Sequence, residues 1–292
     1  MRKVLLATTA LVAMSVTAAQ ADVSVGGTGV FEIHSPATGA QTFTSDGSVV
    51  IKGSTTTDSG LTFTAVQDTR FEGDRDEGNN TNDSYLEVSG DFGTLRAGRT
   101  DGALDRMDGA LAANMDLETT GGQAGAISGT AIGGDSQNIS LHLPSMSGLS
   151  LYGETQADGA GSGLGMNYTI AGVSLMVQQV TGGAGADSTA MGASFGMGGI
   201  KVNVGSTTRD ATGAAAKISA NDIGMSYTMG EITIVATSAR GKQGTRTDKY
   251  SNVGVKYAIA PGISAMVESG QSTAGVVPTD SDATWAALSV SF

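Results

Sequence analysis

The segment Ile223-Gly-Met225-Ser-Tyr227-Thr-Met229 has a large apolar residue at every odd position and a small or polar residue at every even position. Successive side chains of a β-strand point to opposite faces of the sheet, so this period of two indicates a strand with one apolar face. The same alternation recurs in the segments 164–170, 200–204 and 252–259. The sequence therefore predicts an all-β protein with an unusually large apolar surface.

The connections between these segments form two classes. Seven are short, and each contains a glycine able to adopt positive φ or a proline that presets a turn. They lie at 58–60, 91–93, 146–148, 171–172, 196–199, 229–230 and 260–262. Eight longer polar connections alternate with them, at Ser35–Asp46, Glu72–Asp83, Thr100–Ser136, Ala157–Gly163, Thr181–Asp187, Arg209–Asn221, Arg240–Asp248 and Gln271–Asp282.

This alternation of short and long connections, without exception, predicts 16 strands. Outer-membrane barrels have an even number of strands, short periplasmic turns and long external loops, and their apolar faces contact lipid. A soluble β-sandwich or β-solenoid is the alternative, but neither has a reason to segregate loop length so strictly. We therefore expect a 16-stranded antiparallel transmembrane β-barrel in which the first strand pairs with the last, because an unpaired edge is too costly in lipid. Both chain ends then lie on the periplasmic side.

The N-terminus has the pattern of a secretory signal peptide. Arg2 and Lys3 form a basic start, Val4–Val16 is an apolar stretch, and Ala19-Gln-Ala21 is a small-x-small cleavage site. An N-terminal helix or membrane anchor is the alternative, but the apolar run is shorter than the roughly 20 residues that a spanning helix needs. The predicted domains are a signal peptide at residues 1–21 and a barrel at 22–292.

Composition excludes several function classes. The predicted mature chain keeps 14 of the 16 basic residues against all 28 acidic ones, a formal charge of −14, which repels nucleic acid and attracts cations. The chain has no cysteine and only two histidines, so it offers neither a thiol nucleophile nor a histidine cluster for zinc. Its 44 glycines have no three-residue period, and apolar residues are plentiful, which excludes collagen and disorder.

Three segments and the C-terminus resemble the general Gram-negative porins, with alphaproteobacterial porins the nearest in character. The segments are Lys52–Phe63, Gly90–Thr100 and Leu143–Leu151, each built around a turn. The terminal Phe292, with Val290 and Leu288 before it, looks like the C-terminal signal read by the barrel-assembly machinery. Their order and spacing extend the resemblance over the whole chain.

The resemblance implies a homotrimer in which each barrel carries its own pore, narrowed by an inward-folded third external loop. Thr100–Ser136 occupies that loop's position, and its acidic residues would face a basic cluster on the wall; those in the predicted constriction are Asp105, Asp108, Asp116 and Glu118. Glu118 matches the family's acid near the loop tip, although Leu117 and Thr119 replace the usual proline and aromatic residue. A solvated external loop is the alternative.

The pore wall can be read from parity, because the residues between the apolar ones face the lumen. The predicted basic wall residues are Lys52, Arg70, Arg96 and Arg99, with Lys201 and Lys256 also inside. Asp68 and four glutamates also point inward by parity, namely Glu32, Glu87, Glu154 and Glu268. Arg99 shares the parity of Leu95, so we expect Gly98 to break the strand and turn Arg99 inward. Ser48 and Gln137 stand where the family often has arginine, which depletes the basic side.

These features predict an outer-membrane porin for passive diffusion of small hydrophilic solutes and ions, weakly cation-selective and without a cofactor. Ca²⁺ at the acidic third loop is an alternative, because several carboxylates are close in sequence. A non-channel barrel with a structural or adhesive role is the runner-up function. An enzyme is disfavoured because no Gly-x-Ser-x-Gly motif lies near His142 in the sequence, and a calcium-binding repeat because its motif, at 183–187, occurs once. Expected partners are outer-membrane lipid, lipopolysaccharide and the barrel-assembly machinery, but no nucleic acid.

Overall fold

The computed structural model describes residues 21–36, 39–72, 80–100, 136–156, 161–181, 187–210, 217–274 and 279–292. They form sixteen strands. The strands are β1 (Asp22–Pro36), β2 (Thr42–Thr56), β3 (Thr62–Glu72), β4 (Asn80–Gly90), β5 (Gly93–Thr100), β6 (Ser136–His142), β7 (Leu149–Gln156), β8 (Ser162–Ile170), β9 (Val173–Thr181), β10 (Ser188–Met197), β11 (Ile200–Arg209), β12 (Ile218–Met229), β13 (Ile232–Gln243), β14 (Arg246–Ala260), β15 (Ile263–Ala274) and β16 (Thr279–Ser291). A helix with the length and apolar character needed to cross a membrane is not found within the described ranges.

The sheet is a closed barrel in which every strand pairs antiparallel with its neighbours in sequence. Closure is made by β1 and β16, whose register runs from Thr28 opposite Ser291 to Pro36 opposite Ala283. Below that ladder, the backbone N–H of Gly27 donates to the carbonyl of Phe292 at 3.0 Å, and the N–H of Phe292 donates back at 3.1 Å. The predicted 16-stranded barrel and its pairing of first strand with last are confirmed.

Burial alternates along the strands in the sense opposite to that of a soluble barrel. On β13, Val235, Thr237 and Ala239 are buried, whereas the intervening residues are exposed. The outer face carries large apolar side chains, with Leu164 72% exposed and Ile223 54% exposed. The inner face carries polar and charged side chains, with Glu268 only 2% exposed. An apolar exterior around a polar interior is the arrangement expected of a barrel that sits in lipid.

The predicted short turns are present at one end of the barrel, and glycine is required in two of them. Gly199 has φ of 84°, and a Cβ there would lie 2.5 Å from the carbonyl oxygen of Thr228. Gly262 has φ of 76°, and a Cβ there would lie 2.4 Å from the carbonyl oxygen of Ser291. In both places only a residue without a side chain lets the turn lie against the next strand.

One predicted long connection is wrong. Arg240–Asp248 is not a loop, because β13 continues to Gln243, β14 starts at Arg246, and a two-residue turn with Gly244 at φ 60° joins them. The short and long connections therefore do not alternate without exception. The charged and polar residues of this segment lie above the apolar band, where water solvates their side chains while their backbones still pair.

Other predicted loops are shorter than expected for the same reason. The strands that flank the first connection extend to Pro36 and restart at Thr42, well inside the predicted Ser35–Asp46. The last connection likewise shrinks, since β15 reaches Ala274 and β16 begins at Thr279. The third connection matches its prediction, because β5 ends at Thr100 and β6 begins at Ser136.

Candidate functional site

The inner wall of the barrel is the candidate site, because it brings together most of the charged residues predicted to face inward. Glu32, Glu154 and Glu268 are between 2% and 9% exposed. Lys52 pairs with the buried Val66, which puts its side chain on the inner face. By the same register, the inner face also carries Asp68, Arg70, Glu87, Arg96, Lys201 and Lys256.

Arg99 is the exception, and the expectation that Gly98 turns it inward is wrong. The ladders from β5 to both β4 and β6 run through Gly98 and Arg99 without a register shift. Arg99 is exposed and lies opposite Ser84 and Gln137, whereas the next residue, Thr100, is fully buried. Gly98 has φ of 143°, and its lack of a side chain lets β4 approach closely, because a Cβ would lie 2.4 Å from the carbonyl oxygen of Ser84. It permits close packing and leaves the strand unbroken.

The predicted acidic constriction cannot be compared with the wall in the same way. Asp105, Asp108, Asp116 and Glu118 all lie outside the described residues, as does the proposed calcium site on that loop. Within the described ranges, no group of three or more metal-ligating side chains forms a candidate metal site.

On the wall of β4 and β5, Arg96 is neutralised by Glu87. The Nε and Nη2 atoms of Arg96 donate to the same carboxylate oxygen of Glu87, at 3.2 and 2.6 Å. The guanidinium carbon lies 4.1 Å from the centroid of the Tyr85 ring, and Nη1 is 3.5 Å from the Thr100 hydroxyl. Arg96 is 4% exposed, so a hydrogen-bonded and stacked guanidinium contributes no free positive charge to the lumen.

A second polar cluster spans β13, β14 and β15 and fixes Glu268. The backbone N–H of Thr237 donates to Oδ1 of Asn252 at 3.0 Å, and the Thr237 hydroxyl donates to the same atom. Nδ2 of Asn252 donates to Oε1 of Glu268. All three side chains are buried, and the amide of Asn252 therefore relays between a hydroxyl donor and a carboxylate acceptor. The cluster holds one carboxylate in a fixed place on the wall.

Aromatic rings lie beside Glu268 on the seam between β15, β16 and β1. Trp285 is opposite Glu268 on one side and His34 on the other. The His34 and Trp285 rings are stacked, with centroids 5.2 Å apart and planes 11° apart. Tyr250 approaches the same place, since a Cβ on Gly270 would be 3.1 Å from the Trp285 ring and 3.2 Å from the Tyr250 hydroxyl. The wall here combines a carboxylate with flat aromatic surfaces.

Carboxylates outnumber cations along the middle of the inner wall. Apart from the paired Glu87 and Arg96, the inward cations along this part of the described wall are Lys52, Arg70, Lys201 and Lys256. The inward carboxylates, which are spread around the whole barrel, are Glu32, Asp68, Glu154, Asp222 and Glu268. A lumen lined in this way carries an excess of negative charge.

Sequence reasoning missed the partners of these charges. Tyr85, Thr237, Asn252 and Trp285 have no signature of their own, because each is one residue in an alternating pattern. A signal did exist for the first of them. Tyr85, Glu87 and Arg96 have inward parity on adjacent strands, so a register drawn through the turn at Gly90–Gly93 places the three together.

Comparison with known proteins supports one family. A family model described as Gram-negative porin matches residues 7–275, whereas no curated protein matches. Three similar solved structures are the anion-selective porin from Comamonas acidovorans (16% identity, TM-score 0.78), an engineered variant of the Rhodobacter blastica porin (18%, 0.76), and OmpT of Vibrio cholerae in its trimer form (14%, 0.76). Each match covers 93% of this chain, and 100%, 100% and 99% of the other chain respectively. At these identities the likeness establishes the fold.

Proposed function

Because the chain belongs to the Gram-negative porin family, we propose that its barrel conducts small hydrophilic solutes and ions by passive diffusion with a weak preference for cations. The family and the fold make it a multi-pass β-barrel porin of the outer membrane. They point to a channel and not to an enzyme. The preference for cations goes further and rests on the charges of the wall.

The observation that carries the selectivity proposal is the pairing of Arg96 with Glu87, in which Nη2 lies 2.6 Å from the carboxylate. Arg96 is the most buried of the predicted wall cations, and the pairing removes it from the positive side of the lumen. Glu154 and Glu268 add two buried carboxylates elsewhere on the wall, at 9% and 2% exposure. Rings of charged side chains bias the ions that pass, so an acidic excess favours cations.

One similar structure is named as an anion-selective porin. Its similarity supports the fold of this chain, but it does not carry over the preference for anions. Selectivity is set by individual side chains in the lumen, and barrels of the same fold differ in those side chains. The relevant residues of this chain are its own wall charges, which are predominantly acidic in the described residues.

The third connection is proposed as the constriction of this pore. It is the longest one and begins at Thr100, whose side chain is fully buried inside the barrel, and Asn138 on the other side donates to the Thr100 carbonyl at 2.7 Å. The connection therefore leaves and re-enters the wall beside Arg96. From there Asp105, Asp108, Asp116 and Glu118 would add negative charge to the pore. No cofactor is assigned to it, and Ca²⁺ on these carboxylates remains the alternative.

A homotrimer is proposed as the working assembly. The structure of OmpT from Vibrio cholerae is described as a trimer form, and that statement concerns OmpT. In this chain, Gly29 faces outward on β1 and lies directly opposite Gly47 on β2, whose outer side is covered by the ring of Phe71. A Cβ on Gly29 would meet nothing within 4 Å, so this face could receive another barrel without displacing its own side chains.

The remaining proposals concern biogenesis and surroundings. Residues 1–21 are proposed as a signal peptide removed on export, which leaves 22–292 as the barrel. Phe292 is 75% exposed, while its backbone is held to Gly27, so its ring is available as a recognition signal for the barrel-assembly machinery. Lipid and lipopolysaccharide are the proposed surroundings of the outer face.

Planar-bilayer recording with the purified protein tests the proposed function. We expect stepwise conductance increments in 1 M KCl, and a reversal potential across a tenfold KCl gradient whose sign reports cation preference. A clear anion preference would overturn the selectivity, and a folded barrel that gives no conductance would favour a structural or adhesive role. Conductance steps in groups of three would support the trimer.

A further inference from the structure

Three basic residues lie on the outer face of the barrel at the loop end of β13 and β14. They are Arg240, Lys242 and Lys249, here called the outer basic cluster. On β13 the even residues from Ile232 upward are exposed, and Arg240 and Lys242 continue that outward series. On β14 the odd residues are exposed from Lys249 down to Tyr257. The cluster therefore lies on the outside of the barrel, away from the pore.

The register places two of these cations directly opposite each other. Arg240 pairs with Lys249, and Lys242 is two residues further up the same face. Residues opposite one another on antiparallel strands have Cβ atoms about 5 Å apart, and like charges in such positions repel. An anion bound from outside the strand pair would offset this repulsion.

No carboxylate of the barrel supplies that anion within the described residues. The outward neighbour of Arg240 on β12 is Asn221, and that of Lys249 on β15 is Thr273. The ion pairs nearby, Arg246 with Asp248 and Lys217 with Asp210, do not include the cluster. The outward Asp282 belongs to β16, two strands from β14 and thus about 10 Å from it across the sheet.

The outer basic cluster lies at the level expected for the lipid headgroups. Below it on the outer face lies a row formed by Ser238 and Ser251, and below that the apolar band begins with Ala236 and Val253. One outward row rises about 7 Å along a strand, and less along the barrel axis because strands are tilted. The cations therefore lie just beyond the hydrocarbon, where the phosphates of a lipid layer are found.

The cluster is also on the external side of the membrane. It adjoins the turn at Gly244 between β13 and β14, at the end opposite the turn at Pro261 and Gly262 and opposite Phe292. The end of a bacterial barrel that carries the chain ends is periplasmic, so the turn at Gly244, at the opposite end, faces outward from the cell. The lipid in contact with the cluster belongs to the outer leaflet.

We propose that Arg240, Lys242 and Lys249 bind a phosphate group of outer-leaflet lipopolysaccharide. Three cations on one face, with no acid between them, match a phosphate that carries up to two charges. This proposal rests on the outer-membrane location of the barrel. It concerns the lipid-facing surface, whereas the proposed channel function concerns the lumen. The occupied site would offset the repulsion between Arg240 and Lys249 and anchor the barrel in its lipid.

The test measures binding of lipid A to the purified assembly in non-ionic detergent by native mass spectrometry with titration. The probes are lipid A with two phosphates, the same lipid A with its phosphates removed, and phosphatidylglycerol. We expect the diphosphorylated lipid A to bind most tightly, and R240S/K242S/K249S to weaken it at least about tenfold, since each basic residue near an anionic lipid surface contributes roughly a fivefold factor. R240K/K249R, which keeps the charges, should bind as the original protein does.

The matched control is R99S, because Arg99 is also exposed on the outer face near the loop end but has Ser84 and Gln137 as its neighbours. It should leave lipid A binding unchanged, whereas R240S alone should weaken it. Equal binding of lipid A by the triple variant, equal binding of dephosphorylated lipid A, or equal binding of phosphatidylglycerol would each overturn the proposal. Conductance of the triple variant is recorded in parallel and should be normal, so a failure of the pore and a failure of the lipid site give different results.

Discussion

Arg96 and Glu87 form a two-pronged ion pair on the inner wall, with Nε and Nη2 of the arginine at 3.2 and 2.6 Å from one carboxylate oxygen. The pair is held in place because Tyr85 lies under the guanidinium group at 4.1 Å. Two residues that parity alone counts as separate pore charges therefore act as one neutral unit. The acidic excess of the lumen then comes from the carboxylates elsewhere on the wall.

Glu87→Gln should shift the channel toward anions. The substitution leaves the positive charge of Arg96 without its partner, and we expect the K⁺/Cl⁻ permeability ratio to fall, because charged side chains on the pore wall bias the ions that pass. Reversal potentials in a KCl gradient measure this ratio. The double variant E87Q/R96Q removes the pair and should restore a ratio near that of the original protein. An unchanged ratio in the single variant would show that Arg96 is not part of the conducting surface.

Asn252→Ala should destabilise the barrel by about 1–3 kcal/mol, because it deprives both Thr237 and Glu268 of a buried hydrogen-bond partner. The measurement is the temperature at which the folded barrel is lost, followed on gels of heated and unheated samples. Asn221→Ala is the control, because Asn221 is an exposed residue on the outer face of the neighbouring β12. Equal effects of the two substitutions would contradict a special role for the cluster.

The fold could be read from the sequence because its two determinants are local. Alternation along segments such as Ile223–Met229 reports which residues face lipid, and glycines such as Gly262 report tight turns. The same logic is wrong at Arg240–Asp248, because polar residues there predict a loop where the structure has paired strands. Beyond the apolar band, polarity reports solvent, and the backbone pairs regardless of side-chain type.

The site could be predicted only as far as facing direction. Parity placed Glu32, Glu154 and Glu268 on the inner wall, as observed. Parity does not show that Glu87 neutralises Arg96, because that depends on which rows of adjacent strands meet. For Arg99, parity alone predicts an outward side chain, and the unbroken ladder through Gly98 shows that this prediction, and not the expected break at Gly98, is right.

Gly98→Ala should impair assembly of the barrel. A Cβ there would lie 2.4 Å from the Ser84 carbonyl and 2.6 Å from the Tyr85 Cα, and φ of 143° strains a residue with a side chain by about 1–3 kcal/mol in addition. Gly53→Ala is the control, because a Cβ on Gly53 meets nothing within 4 Å. The yield of heat-modifiable folded protein after refolding into detergent compares the two. A normal yield for G98A would mean that β4 and β5 can separate at this point.

The cation preference should weaken as salt increases. The wall carboxylates act through their electric field, and the Debye length falls from about 10 Å at 0.1 M salt to about 3 Å at 1 M. Reversal potentials recorded at a fixed tenfold gradient but at rising mean KCl concentration should therefore approach the value for a non-selective pore. A preference that does not depend on salt would indicate selection by a direct binding site instead of by the field of the wall.

Gly29→Trp should convert the proposed trimer into monomers. Gly29 faces outward on β1, and its side-chain position is empty within the barrel, so an indole there protrudes into whatever packs against this face while the barrel itself folds. Gly153→Trp is the matched control, because Gly153 is flanked by the outward-facing Leu141 and Leu164 on its neighbouring strands and would place the same indole against lipid or detergent. Light scattering after size-exclusion chromatography gives the assembly mass. We expect G29W at one third of the mass of G153W. If G29W remains trimeric, the subunit contact lies on another face, and if both variants are monomeric, the loss reflects the bulky substitution and not a subunit contact at Gly29.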